Sequence, residues 1–234
     1  MSDNPILKVT AADVKNGLYV GKTSVAGFDG NLELDADLGW VKFDGSIRVT
    51  GYVYARSGSG IKAGSGIKAG AGIEARWGIK AGEGIEAGEG IKARWGIEAG
   101  SGIKARSGIK ARWGIKAGEG IEAGEGIVAG WGIEAGWGIK AGWGIKAGWG
   151  IKAGWGIEAG WGIKAGWGIK AGEGIVCTKK LAARFRVFAG TCTWKIASEA
   201  EKTITCSTFK GGEIAYGTLV ETAAKTKKEK EKAS

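Results

Sequence analysis

From Ile61 to Ile175 an isoleucine falls at every sixth position, twenty times without interruption, and an alanine follows two residues later until Cys177 takes that place. The unit is I-x-A-[G/R]-x-G. Residues i and i+2 lie on one face of an extended strand, and i+1 points the other way. Isoleucine and alanine therefore face a core, while the Lys or Glu between them faces water. A helix needs apolar residues at i, i+3 and i+4, and two glycines per six residues would break it. Each hexad is predicted to be a short strand closed by a Gly-x-Gly corner, where glycine allows close approach of successive coils. One hexad cannot bury its own isoleucine, so the units must stack as a solenoid. The beat keeps phase downstream through Leu181 and Val187. Upstream, Val41, Ile47 and Val53 keep the spacing, and a two-residue insertion near Ser57-Gly58 separates them from Ile61.

Charge sets the number of hexads per coil. Residues 18 apart carry opposite signs far more often than residues 12 apart, and one series alternates throughout: Lys68, Glu86, Lys104, Glu122, Lys140, Glu158. Stacked side chains on neighbouring strands lie about 4.8 Å apart, where opposite charges attract and like charges repel. Trp77, Trp95, Trp113, Trp131, Trp149 and Trp167 follow the same 18-residue period. The expected fold is all-β: a triangular parallel β-helix of 18 residues per coil and about seven coils, roughly 35 Å long. Its handedness stays open. Residues 1–40 are expected to form an N-terminal β cap, 41–192 the solenoid and 193–222 a C-terminal β cap of two or three strands. Residues 223–234 read as a disordered charged tail.

Composition removes whole classes of function. The 234 residues include 47 glycines and no histidine. No Ser-His-Asp triad, imidazole zinc site or histidine general base can be built from this chain. Three cysteines without C-x-x-C spacing suit reduced thiols rather than a disulfide framework or a metal site. No apolar run is long enough to span a bilayer and the N-terminus lacks a signal pattern, so the expectation is a soluble cytoplasmic protein without cofactor or metal. Net charge is +10, with the excess in the repeat and the C-terminal third. Lys and Glu alternating down the strand faces predict a mixed potential rather than a positive stripe.

The GIxAG hexads resemble hexapeptide-repeat β-helices and, more loosely, bactofilin-type solenoids over residues 41–192. The familiar left-handed hexapeptide helix places its small inward residue before the aliphatic one, and here isoleucine comes first. GIKAGWGIKAG, with FAGTCTWKI and IAYGTLVE, is also similar to uncharacterised proteins of bacteria and their phages or mobile elements. Hexapeptide acyltransferases and γ-type carbonic anhydrases depend on histidine, so the resemblance implies architecture without their chemistry.

Ten of the twelve tryptophans occupy the middle of a [G/R]-x-G corner, a position that also accepts Glu and therefore faces water. In the first half of the repeat each corner tryptophan follows an arginine: Arg76-Trp77, Arg94-Trp95, Arg112-Trp113. With Trp131, Trp149 and Trp167 these form the candidate binding edge. The same residues also read as an aromatic ladder that covers glycine corners and stabilises stacking. The leading functional expectation is a non-catalytic rigid scaffold presenting this edge to a macromolecular partner, most simply a protein. The alternatives are a phage- or mobile-element-encoded inhibitor of a host defence protein, a bactofilin-like self-assembling protein, and a nucleic-acid or glycan binder.

Overall fold

The computed structural model describes residues 4–222, so the charged tail expected at 223–234 lies outside the described residues. The chain winds as a parallel β-solenoid with three long sheets of 11, 11 and 12 strands. From Ile67 onward each hexad of the repeat forms a three-residue strand such as Ile67–Ala69, Ile73–Ala75 or Ile79–Ala81, and these three belong to three different sheets. We call the faces C, A and B in that order. Each strand pairs in parallel with the one 18 residues away, so Ile67 lies on Ile85, Ile103 and Ile121 in turn. The three-hexad coil read from charge alternation is thus the observed period.

The core follows from this register. Isoleucines 61 to 175 are at most 1% exposed and the alanines beside them at most 7%, forming a continuous aliphatic interior. Glycine matters most just after the alanine, where coils come into contact. A Cβ built at Gly100 would lie 1.9 Å from the Gly82 carbonyl oxygen, closer than real atoms approach. Arg76, Arg94, Arg106 and Arg112 occupy the equivalent place and keep the same ladder bond, as Arg94 to the Ala75 carbonyl (3.1 Å) beside Gly100 to that of Ala81 (3.1 Å).

The solenoid has about 11 turns, not seven. Counting strict hexads undercounts because the irregular flanks continue the same sheets. Ile6–Val9 and Asn31–Leu34 extend face A below Val53–Ala55. At the other end four strands, Thr203–Cys206, Thr208–Lys210, Glu213–Tyr216 and Thr218–Glu221, stack in parallel on the last coils. Their inward residues Ile204, Phe209, Ile214 and Leu219 recur every five residues rather than six, so a search for hexads passes over them. Among the described residues one strand pair is antiparallel: Val14–Lys15 with Leu18–Tyr19. Its turn is Asn16-Gly17, both at positive φ (51° and 76°), the pair that suits a tight hairpin.

The insertion near Ser57-Gly58 is absorbed in one enlarged corner. Gly58 takes φ +73°, and the buried Ser59 hydroxyl donates to the Asp35 carbonyl (2.6 Å) while accepting from the Leu38 amide (3.0 Å). Register across it changes from 18 to 20 residues, placing Ile61 over Val41. Two short 3-10 turns, Ala11–Asp13 and Ala200–Lys202, are the helical elements described. Among the described residues no helix is long and apolar enough to cross a membrane.

Truncating one aliphatic rung leaves a void that rigid neighbouring coils cannot close. Ile121→Ala should cost about 2–5 kcal/mol and Ile121→Val about 0.5–1.5 kcal/mol in denaturant melts. A loss no larger than that of the exposed Lys140→Ala would contradict the packed interior. Burial also pushes the Cys177 thiol up to about 11 and raises that of Cys206, keeping both protonated. Cys192, only partly buried, should therefore be alkylated first in the native protein at mildly alkaline pH. Equal labelling of all three by mass spectrometry would count against this placement.

Candidate functional site

The corner tryptophans are held by the backbone ladder. Each corner amide donates to the corner carbonyl one coil below, as in Trp95 to Trp77 (2.9 Å) and Trp149 to Trp131 (3.1 Å). Side chains from one column therefore stand at the coil spacing and stack. Trp77, Trp95, Trp113, Trp131, Trp149 and Trp167 form an unbroken series with centroids 5.0–5.8 Å apart and planes within 5–15°. Trp40 meets Trp77 edge-on at 6.4 Å, and Phe185 closes the other end 4.4 Å from Trp167. A second column on another edge contains the pair Trp137–Trp155, at 5.4 Å and 9°.

Stacking decides which part of each indole is available. An aromatic guest inserted between two rings needs roughly 7 Å, twice the ~3.4 Å thickness of a stacked base. The observed 5.0–5.8 Å leaves no room, so the ladder's faces are spent on one another and its edges meet solvent. Trp113, Trp131, Trp149 and Trp167 are still half exposed. The indoles lean over face B and wall a groove of about 1350 Å³ that runs along the rod. Its floor is the corner backbone at Gly96, Gly114, Gly132, Gly150 and Gly168, and its far wall carries Lys116, Glu134, Lys152 and Lys170.

The arginines of the candidate edge lie elsewhere. Arg76, Arg94 and Arg112 line a groove on face A together with Lys92, Lys110 and Lys146. Among the described residues the cation–π contacts are Lys80 on Trp40, Lys179 on Trp161 and Arg184 on Phe185, none of which involves these three arginines. The structure thus brings the predicted tryptophans together and separates them from the predicted arginines across one edge. Adjacent residues at a sharp corner point to different faces.

Electrostatics also differ by face. Face C alternates, with Lys68–Glu86, Lys104–Glu122 and Lys140–Glu158 at 3.1–3.5 Å. Face B is mixed: Lys80 and Lys152 hold the carboxyls of Glu98 and Glu134 below their ordinary range through hydrogen bonds. Face A departs from the expected alternation. Its outward column runs Glu74, Lys92, Lys110, Val128, Lys146, Lys164, Ala182, Lys210. Lys92 reaches Glu74 at 3.2 Å, and no acidic group of the described residues lies within 4.0 Å of Lys110, Lys146 or Lys164. Reading all hexads as one population hides this stripe; sorting them by their place in the 18-residue coil exposes it.

Comparison of the chain with protein-family models, with curated proteins and with solved structures finds no match.

Proposed function

We propose that this protein is a rigid, non-catalytic binding rod of the cytoplasm that receives a protein partner along the tryptophan-walled groove over face B. The likeness to hexapeptide-repeat and bactofilin-type solenoids supports the scaffold part of this reading. The observation that carries it is the continuous groove bordered by half-exposed indoles from Trp95 to Trp167. Contiguous exposed aromatic surface on this scale is characteristic of interaction sites, and tryptophan is prominent among residues that dominate binding energy. The closed ring faces favour a polypeptide over a ligand that must stack, because aliphatic and aromatic side chains can pack against indole edges. The groove passes several successive coils, from Trp95 to Phe185, which suits an extended segment or a helix lying parallel to the rod axis.

Ser and Glu occupy the same place in the hexad on another edge, as at Ser65, Ser101 and Glu119 below Trp137, so the position tolerates polar replacement. Trp113→Ser with Trp131→Ser should abolish stoichiometric co-purification of the partner with the full chain. Arg94→Ala with Arg112→Ala, on the other side of the edge, should leave it intact. Undiminished capture by the tryptophan variant, together with a lowered unfolding midpoint, would assign the ladder to stability alone.

A further inference from the structure

Face A carries a second surface, independent of the groove over face B. Corner residues lean over the face that follows them in the chain: the Trp95–Trp167 series over B, Trp137 with Glu83 and Glu119 over C, and Glu89 with Glu125 over A. The column of Glu89 and Glu125 continues as Trp143, Trp161 and Lys179, whose backbones follow in the same ladder. Face A is therefore flanked by acids over its N-terminal half and by aromatic and basic groups over its C-terminal half. Trp143 and Trp161 are also the two most exposed corner indoles, at 69% and 65%, and among the described residues they form no ring pair with each other. Alone among the corner tryptophans of the described residues, they stack on no other aromatic ring. The Lys179 ammonium sits 5.6 Å from the Trp161 centroid.

We propose that the C-terminal half of face A binds a single-stranded nucleic acid, its phosphates tracking Lys146 and Lys164 and its bases stacking on Trp143 and Trp161. A run of unpaired cations at the coil spacing, beside aromatic faces open to solvent, is the combination that holds single strands without sequence readout. Lys179, beside Trp161, extends the positive strip along one edge. A duplex satisfies the charges but keeps its bases stacked internally and offers nothing to the indoles. An acidic protein or a sulfated glycan likewise uses the lysines and leaves the rings idle.

The test is fluorescence anisotropy of the full chain with a labelled oligothymidylate of about 12 nucleotides, titrated at several salt concentrations. Affinity should fall with salt at a slope of roughly 0.7 per contacted phosphate. Lys146→Ala with Lys164→Ala should reduce that slope by about 1.4 and weaken binding more than tenfold. Trp143→Ser with Trp161→Ser should leave the slope unchanged and weaken binding by about 5- to 150-fold per stacked base. Lys104→Ala with Lys140→Ala on face C, and the Trp113→Ser, Trp131→Ser variant of the other groove, should bind as the parent does. Circular dichroism identical to the parent shows that each variant is folded. Absence of binding at low salt overturns the proposal. So does duplex DNA or heparin binding as tightly as the single strand, or indifference to loss of the two tryptophans.

Discussion

Every feature of this molecule depends on in-register parallel stacking at the coil spacing, which sets each residue about 4.8 Å from its equivalent 18 positions away. Such a stack rewards like on like for aliphatic and aromatic side chains. The isoleucines make dry columns and the indoles make a ladder, each rung repeating the contact below it. It disfavours like on like for charge, and face C answers by alternating Lys and Glu. The close approach of successive corners then requires glycine over most of the repeat, which is why a glycine-rich composition here marks order rather than disorder.

The same constraint explains how surfaces of different character arise from nearly identical hexads. A position is copied up one column and nowhere else, so changing it in every third hexad changes one face or edge and leaves the other two untouched. Tryptophan in one corner column yields a wall for face B, while lysine in one strand column leaves face A without alternation. Departing from alternation costs little at exposed sites, a few tenths of a kcal/mol per pair, so such a face can persist without threatening the fold. Where tryptophan fills a corner column it also determines what that column can bind, because rings held at 5.0–5.8 Å cover one another. Trp143 and Trp161, with no such partners, are chemically different from their neighbours despite an identical local sequence.

Much of the architecture was legible in the residues themselves. The six-residue beat of Ile and Ala has only one economical strand solution, and the Lys68-to-Glu158 alternation sets the coil at three hexads because charges interact only with what stacks on them. The turns at either end were less legible. Leu32, Leu34, Ile204 and Phe209 enter the same core, but their spacing is irregular or five-residue, and their inward direction comes from pairing with a coil already formed. Burial of Ser59 was equally hidden, since it depends on the Asp35 carbonyl and Leu38 amide across an enlarged corner.

The candidate edge divides along the same line. Its periodicity, solvent exposure and aromatic character followed from sequence alone, because a corner that accepts Glu must face water and an 18-residue series must stack. Which way each side chain turns at that corner did not follow. Arg94 and Trp95 are neighbours in the chain, but the bend between two strands directs them to different faces and different grooves. Periodicity is a property of the backbone path and can be read along one dimension. Which side chains share a surface depends on the angle between faces, and that exists only once the chain has closed its triangle.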